Sequence, residues 1–570
     1  MALLHVKSTG TKESGASTAD DWTDANCYPT LLAALAIAGD GNEIILDDEV
    51  HVEAAVAPGS SWTDSVTIHS RSNDATLCTL STASATNPIL GIYPSAGTPT
   101  IEVNDITMTC SATRTGLTAP ANFIGVSSNT IVELSFNRCV IGPLTIETAA
   151  NSTFGQIFHH LGTKERNVNF TDCVFTDITA TYNDYGVLFN LSGTSTTFNF
   201  IGCTFKDWLL TYSNGTQSAG DFLGNGNIAA HNFIDCTFQD ITRNNPQRCM
   251  IRPQGTTPST IMRNCNFYRI LSDHDTGEFI GTPLIDILGP FTVEGTYCED
   301  IVVTVPETNG GGDGVTLYQD AAAVGTFRDI EVRRCIGRSG AAIFCSNGGS
   351  LDAENVRAYD CKVAHGVVYT GYNGDATVTG LLVDGCQYLS LTGSNRHAGG
   401  LGFYFRNNPA APERDSAVVL NNATFINNDN SNFSMITIEN EHATATVTAT
   451  LNNVITRSDS ETGPEIDLLK TGGTGELNVT TNSCNVLGGT DSITQNDGTQ
   501  TTLTNNDLTS DDPLLNSDGS LSSSSPLIGI GKKWWTGAEP VGADGEPFSD
   551  MNTDIGAIQS TLGPLHPVNL

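Results

Sequence analysis

The chain has 570 residues, with 62 acidic and 26 basic side chains and a formal net charge of −36 at neutral pH. This charge repels nucleic-acid phosphates and anionic membrane surfaces, so neither class of partner is expected. Only 15% of the residues are charged and 39% are hydrophobic. That composition is typical of a folded chain with a large core and excludes a disordered protein.

The first residues and the cysteines indicate where the chain folds. The opening stretch, MALLHVKSTGTKESG, lacks the apolar run of a secretory signal. No segment approaches the ~20 apolar residues that a membrane span needs, so no membrane insertion is expected. The 15 cysteines include no pair separated by only two residues. We therefore expect reduced thiols and folding in a reducing cytoplasm.

The N-terminal region is predicted to hold a short helix that covers the first turn of the fold. Residues 24–39, DANCYPTLLAALAIAG, form an apolar helical pattern with Asp24 or Asn26 as the N-cap. The stretch 43–52, EIILDDEVHV, follows with the first strands. Residues 1–50 are accordingly expected to form an N-terminal arm and capping helix.

A repeated pattern occupies residues 51–490. It has the form h-x-h-x-x-C-x-h-x-x-h, where h is apolar. The 378 residues from the first centre (106) to the last (484) contain 12 intervals, or 31.5 residues per repeat. The strong copies are centred on Cys139, Cys173, Cys203, Cys236 and Cys265, and the weaker ones on Ile106, Thr296, Cys335, Cys361, Cys386, Ala423, Val454 and Cys484.

The pattern indicates short strands joined by tight corners. Alternating apolar residues mark strands with one buried face, and the extra residue before the central position marks a corner. A unit this small cannot bury its apolar face alone and must stack on its neighbours, which is the arrangement of a solenoid. The predicted fold class is therefore all-β, a parallel β-helix of about a dozen coils. The central cysteines form an internal ladder, and residues 491–570 form a C-terminal cap or tail.

Three stretches resemble one known superfamily. They are the entry segment TLLAALAIAGDGNEIIL (30–46), the coil motif, and the tail DPLLNSDGSLSSSSPLIGIG followed by DIGAIQ. Together they resemble the pectate-lyase-like, right-handed parallel β-helix superfamily. The resemblance implies a right-handed β-helix capped at both ends. It does not select an activity, because the fold carries lyases, hydrolases, phage tailspikes and non-catalytic surface proteins.

One candidate site is a column of acids four residues after the repeat centre. Asp177, Asp207 and Asp240 occupy it, followed by Arg269 and Asp300. Equivalent positions in neighbouring coils lie ~4.8 Å apart, so the three carboxylates raise one another's pKa or require a divalent cation such as Ca²⁺. Two of them could serve as the acid and base of glycoside hydrolysis. The alternative is turn chemistry, in which each Asp bonds the backbone of its own corner. No resident cofactor or metal-ligand set is predicted.

Two further candidates are predicted to bind a ligand. Arginines that cluster in a chain with few cations could bind carboxylates or sulfates, or they could pair with the abundant acids. Polar residues at the ends of the second strands, with tyrosines beside them, could form a sugar-binding face or an ordinary wet surface. The candidate ligand-binding residues are Arg252, Arg263, Arg269, Arg333, Arg334, Tyr372, Tyr404 and Arg406.

The leading functional expectation is a phage virion protein, either a tailspike or receptor-binding protein or a head-decoration protein, that contacts cell-surface glycans. Its partners would be a polysaccharide and other virion proteins, and it would be a homotrimer assembled in the host cytoplasm. One alternative is an exported bacterial polysaccharide lyase or glycoside hydrolase. Another is a non-catalytic, extracellular adhesion protein.

Overall fold

A computed structural model gives the fold. It describes the chain except at residues 1, 54–63, 86–87, 93–98, 117–122, 128–132, 149–156, 162–165, 183–187, 193–195, 213–222, 225–229, 245–248, 252–258, 274–283, 288, 305–316, 320–322, 338–339, 346–349, 372–373, 390–397, 406–412, 429–433, 459–463, 472, 497–499, 517–519, 529, 532, 534–555 and 557–570. The chain divides into unit 1, Met1–Thr282, and unit 2, Pro283–Leu570.

Each unit is a parallel β-solenoid, so the predicted all-β fold class is confirmed. The central coils contribute three consecutive faces to a first sheet, and most coils add a strand to a second sheet. In one coil of unit 1, face A is Ala230–Ile234, face B is residues 236–239 and face C is residues 241–244. Each strand pairs in parallel with the equivalent strand of the next coil. No helix in the described part of the chain is long and apolar enough to cross a membrane.

In unit 1 the second sheet contains Leu90–Ile92, Ile124–Ser127, Phe158–Leu161, Phe189–Ser192 and Leu223–Gly224. The first sheet of unit 1 contains Leu3–Val6, Cys27–Tyr28, Asn42–Leu46, Val50–Val52, Val66–Ser70, Thr79–Thr82, Thr100–Asn104, Thr107–Cys110, Arg114–Gly116, Glu133–Asn137, Val140–Ile141, Leu144–Thr148, Arg166–Thr171, Val174–Tyr182, Thr196–Ile201, Thr204–Tyr212, Ala230–Ile234, Thr237–Asn244, Ser259–Arg263 and Asn266–Asp273.

In unit 2 the second sheet contains Ile285–Ile287, Leu317–Gln319, Ile343–Cys345, Val368–Gly371, Ala398–Phe405, Ser434–Asn440, Ile466–Lys470 and Ile493–Asn496. The first sheet of unit 2 contains Phe291–Val303, Gly325–Arg333, Ile336–Gly337, Leu351–Tyr359, Lys362–Val363, Ala376–Asp384, Gln387–Tyr388, Ser416–Asn428, Val447–Ser458, Leu477–Asn482, Asn485–Val486 and Thr501–Asn506.

Two backbone bends separate the three faces of the first sheet. Bend 1 lies between faces A and B, and bend 2 lies five residues later, between faces B and C. Both bends have φ between +50° and +67°, a region that Asp, Asn and Gly tolerate and most residues avoid. The bend pairs are 172/177, 202/207, 235/240 and 264/269 in unit 1, and 295/300, 329/334, 355/360, 380/385 and 422/427 in unit 2.

The cysteines form the predicted internal ladder. All 15 are buried, and none forms a disulfide. The Sγ atoms of Cys173, Cys203 and Cys236 each lie 3.3 Å from a backbone carbonyl oxygen of the preceding coil, to which the thiol donates. Burial raises the pKa of Cys78 and of Cys484 to about 12. These two thiols are therefore neutral at pH 7.

The predicted repeat register is wrong in unit 2. Thr296 pairs with Ile330, not with the position of Cys335. Cys335, Cys361 and Cys386 follow bend 2, whereas Cys203 and its equivalents follow bend 1. The residue after each bend is buried, so a small apolar residue such as Cys fits at either corner. The spacing pattern therefore did not distinguish bend 1 from bend 2.

The interior and the exterior of the first sheet each carry a ladder of like side chains. Inside unit 1, the rings of Phe170 and Phe200 stack with centroids 5.1 Å apart. Outside, the amide of Asn199 donates to Asn169 and that of Asn232 donates to Asn199, both at 2.7 Å. Identical residues at one register position thus bond along the stacking direction, in line with the backbone hydrogen bonds.

The N-terminal helix is shorter than predicted. It spans Leu31–Leu35 and is capped by Thr30, whose hydroxyl accepts a hydrogen bond from the Ala33 amide at 3.1 Å. The predicted caps belong instead to a 3-10 turn at Asp24–Asn26. Leu3–Val6, within the predicted arm, already pairs with the strand Asn42–Leu46. A second 3-10 turn spans Gly489–Ser492.

The C-terminal tail folds back onto unit 2. The outward side chains Leu382, Ile426 and Ile455 form an apolar patch on face B. Leu515 packs on this patch, and Leu521 and Leu527 pack on its Ile455 end. The Gly556 amide donates to the Asn453 carbonyl at 3.0 Å, and a Cβ at Gly556 would lie 2.8 Å from the Ile455 side chain. The tail therefore covers one stretch of the exterior.

Candidate functional site

The predicted acid column coincides with bend 2. Asp177, Asp207 and Asp240 have φ of +54°, +60° and +55°, so backbone geometry alone explains why Asp recurs there. Arg269 donates to both carboxylate oxygens of Asp240, at 2.6 and 2.8 Å, and this bonding lowers the pKa of Asp240. A catalytic acid would need a raised pKa. The geometry thus favours the turn interpretation, and a catalytic role for the column stays a prediction.

The column contains ion pairs in both units. Lys206 Nζ lies 3.9 Å from Asp207 in unit 1. In unit 2, Arg334 donates to Asp300 at 2.6 and 3.1 Å and also to Glu299. Across the described residues, no group of three or more His, Cys, Asp or Glu side chains is placed to hold a metal ion.

The remaining predicted binding residues fall in different places. Arg263 is exposed at the end of its face A strand. Tyr404 is fully buried, with its ring 5.1 Å from that of Tyr369, so its prediction as an exposed sugar platform is wrong. Arg252, Tyr372 and Arg406 lie outside the described residues.

Face B of unit 2 brings a different set of side chains together. Between the two bends, each strand points two residues outward, and parallel pairing aligns them in rows along the axis. One row is Tyr297, Glu331 and Arg357; the other is Glu299, Arg333 and Tyr359. We call these six residues the Arg–Tyr strip. In unit 1 the matching outward positions hold Val174, Thr176, Thr204, Lys206, Thr237, Gln239, Asn266 and Tyr268.

The charged residues of the strip contact one another through a hydrogen bond, an ion pair and a cation–π contact. Glu331 is 5% exposed and accepts a hydrogen bond from Arg333 Nε at 2.6 Å. Arg357 Nη1 lies 3.8 Å from the other carboxylate oxygen of Glu331. The guanidinium carbon of Arg333 lies 4.4 Å from the ring centroid of Tyr359, a cation–π contact. One carboxylate therefore lies between two cations.

The two tyrosines of the strip are hydrogen-bond donors rather than bases. Burial, and then the charge of Glu299, raises the pKa of Tyr297. Burial, and then the charge of Glu331, raises the pKa of Tyr359. Both phenols are consequently protonated at neutral pH. They can donate to oxygen atoms of a ligand, and their rings offer apolar faces.

The strip borders the part of face B that the tail covers. Leu382 follows Arg357 in the same row, one coil further along. Leu382 and Ile426 are buried, and both Tyr359 and Leu515 pack against them. The strip is thus the charged continuation of an apolar patch.

Sequence reasoning pointed to Arg333 but did not bring the other residues of the strip to it. Glu331, Arg333, Arg357 and Tyr359 alternate with buried residues in the strands Gly325–Arg333 and Leu351–Tyr359. That alternation is visible in the sequence. The side chains come together only in the register that pairs Glu331 with Arg357, and the predicted repeat had a different register there.

Comparisons with known proteins add little to this picture. No family model matches the chain, and no curated protein matches it. Among solved structures, the chain is similar to the catalytic unit of a thermostable GH87 alpha-1,3-glucanase from Streptomyces thermodiastaticus strain HF3-3. The match has 13% identity, covers 87% of this chain and 69% of the other, and has a TM-score of 0.26. An overlap this weak carries no argument about the site.

Proposed function

We propose that the chain is a glycan-recognising β-solenoid that binds its ligand along the Arg–Tyr strip of unit 2. The observation that supports this most is the strip itself. Two tyrosines and two arginines lie in rows along the axis, whereas the equivalent positions of the unit 1 coils named above hold one tyrosine and no arginine. An extended polymer that lies along these rows would meet a tyrosine, an arginine or both at each of the three successive coils.

The chemistry of the strip suits sugars. Aromatic rings pack on the apolar faces of sugar rings, and phenol and guanidinium groups donate to hydroxyl and carboxylate oxygens. The protonated tyrosines and the half-exposed Arg333 supply these groups. In a chain with a net charge of −36, Arg333 and Arg357 give an anionic polymer two local cations with which to pair.

The same geometry favours recognition over cleavage at this strip. The raised pKa values of Tyr297 and Tyr359 oppose a role as a base in lyase chemistry. Glu331 is held by Arg333 at 2.6 Å, which opposes a role as a general acid. A polysaccharide lyase or glycoside hydrolase remains the second candidate, with its chemistry elsewhere on the solenoid.

The biological setting that we propose is a phage virion, with the protein contacting cell-surface glycans as a tailspike, receptor-binding or head-decoration protein. Fifteen buried cysteines that form no disulfide support folding in a reducing host cytoplasm. We propose a homotrimer that binds other virion proteins. Static light scattering of the full chain tests the trimer, because a mass of one chain contradicts it.

Binding is tested by affinity electrophoresis of the full chain through gels that contain bacterial surface polysaccharides. Retardation by at least one glycan is expected. Arg333→Ala and Tyr359→Ala should each weaken it by roughly tenfold, since both remove one partner of the cation–π pair. Arg269→Ala is the matched control, because Arg269 is also exposed and ion-paired but lies outside the strip.

Two outcomes would contradict the proposal. One is retardation that Arg333→Ala and Tyr359→Ala leave unchanged, which would place the glycan elsewhere. The other is depolymerisation of a bound glycan, seen as new reducing ends or as ultraviolet-absorbing unsaturated ends. That result would favour the enzyme alternative, and Asp177, Asp207 and Asp240 would be the first residues to substitute.

A further inference from the structure

Arg357 has an unusual environment for a charged side chain. It lies on the outer surface of face B and yet only 6% of the residue is exposed. Its Nη1 atom faces Glu331 at 3.8 Å, which is beyond hydrogen-bond distance. Its Nε and Nη2 atoms are buried and have no hydrogen-bond partner. A buried guanidinium with unsatisfied donors is costly, so these atoms require an explanation.

The two unpartnered atoms form one edge of the guanidinium. Nε and Nη2 point the same way and match the two oxygens of a carboxylate. In three other arginines of this chain, the Nε and Nη2 atoms both donate to one carboxylate. Arg138 donates from both atoms to Asp105, at 2.7 Å each. Arg269 donates in the same way to Asp240, and Arg334 to Asp300. Arg357 has the same donor edge without an acceptor.

The neighbours of Arg357 do not supply the missing acceptor. Glu331 already receives the 2.6 Å hydrogen bond from Arg333. Leu382, the next residue in the row, is apolar, and Tyr359 packs with it. Two guanidinium groups therefore face one carboxylate, and only Arg333 lies within hydrogen-bond distance of it.

We propose that the Nε–Nη2 edge of Arg357 is an oxyanion site that binds the carboxylate of an acidic sugar, such as a uronate residue of the glycan. This proposal rests on the proposed function and adds the class of ligand. A carboxylate is favoured over a sulfate because the three filled edges in this chain all hold carboxylates. The edge is closed in the unliganded chain, and Leu515 packs on the adjacent Leu382. Entry of the ligand therefore requires this part of the tail to shift.

Isothermal titration of the full chain with three probes tests the site. The probes are an oligogalacturonate, its methyl ester, and a sulfated oligosaccharide of equal length. The free acid should bind about tenfold or more tightly than the neutral ester. Arg357→Gln and Arg357→Lys should both remove that preference, because Lys keeps the charge but loses the two-pronged edge. Leu515→Ala should strengthen binding of the acid.

Arg138→Gln is the control, since its edge is already filled by Asp105 and its loss should not change the preference. Equal binding of acid and ester by the wild type overturns the proposal, as does a preference that survives in Arg357→Gln. A preference for the sulfated probe would keep the site but replace the carboxylate. Melting curves of each variant verify that it folds.

A separate measurement distinguishes failure of this proposal from failure of the proposed function. Monomeric galacturonate should raise the melting temperature of the wild type but not of Arg357→Gln. That result with no polymer binding would retain the oxyanion site and reject glycan recognition along the strip. Binding of the polymer without a preference for the acid would retain glycan recognition along the strip and reject the oxyanion site.

Discussion

Asp, Asn and Gly recur at the bends because only these residues reach a left-handed backbone at little cost. Arg269 and Arg334 depart from this rule, with φ of +50° at bend 2. Each makes a two-pronged ion pair with the Asp of the coil before it, Asp240 or Asp300. Their long side chains suit that bond, and the bond offsets part of the backbone strain.

The corner after bend 1 should accept small neutral residues and reject charge. Cys203→Asp is expected to destabilise the fold by about 3 kcal/mol or more, because it buries an unpaired carboxylate. Cys203→Ala should cost about 1 kcal/mol, and Ala423, buried directly after the bend at Asn422, shows that Ala fits such a corner. Urea unfolding measures both. Equal midpoints for the two variants would refute the inward orientation of the thiol.

His231 should make the stability of unit 1 depend on pH. Its side chain is fully buried, neither ring nitrogen has a hydrogen-bond partner, and burial lowers its pKa from 6.5 to about 3. Between these values the unfolded chain binds a proton that the native chain does not. Stability from this group is therefore complete above pH 6.5 and decreases as the pH falls towards 3, by about 1.4 kcal/mol per pH unit.

His231→Phe is the matched test, because the partner of His231 in the preceding coil is Phe198. The variant should be at least as stable as the wild type at pH 7 and should lose part of the acid sensitivity. Melting temperatures recorded from pH 7 to pH 4 report the difference. Parallel curves for the two proteins would show that His231 is not buried as a neutral ring.

At the scale of the coil, periodicity alone predicted the solenoid, the inward cysteines and the corners. It failed where two corners use similar residues. Cys335 follows Arg334 as Cys203 follows Gly202, and only the pairing of Thr296 with Ile330 shows that the two cysteines belong to different bends. The spacing of apolar residues around a buried cysteine is similar at bend 1 and at bend 2, so the spacing alone does not identify the bend.

The candidate site could be predicted only in part, because the sequence shows which residues are cations but does not show where each coil bends. Arg333 and Arg334 stood out as cations in an acidic chain, but they point to different groups: Arg333 to Glu331 and Arg334 to Asp300. Whether neighbouring cations share a surface depends on which residue lies at the bend. That is a property of the backbone, and the side-chain types alone did not give it.

The tail should stabilise unit 2 through a few apolar contacts. Leu527 is fully buried against the apolar patch, so Leu527→Ala is expected to cost about 2–5 kcal/mol. Leu514→Ala is the control, since Leu514 is 39% exposed and its loss should cost under 1 kcal/mol. Denaturant unfolding of both variants measures the difference. A similar small effect for both would show that the tail does not pack tightly.

Over the whole molecule, the burial of every cysteine has a chemical consequence. In the native chain the 15 thiols should react slowly with Ellman's reagent, because the thiolate must be exposed to react and burial raises the pKa of Cys78 and Cys484 to about 12. After denaturation nearly all 15 should react. Fast titration of most thiols before unfolding would contradict the ladder.

In each unit the backbone hydrogen bonds between paired strands run along the stacking direction, and in unit 1 the amide chain Asn169–Asn199–Asn232 does so too. The mechanical resistance of each unit therefore depends on the direction of the applied force. A force that pulls coils apart along that direction meets the bonds of one interface at a time and can peel an end coil. A force along the strands shears a whole row of bonds together. Each unit should therefore resist sideways load far better than axial tension.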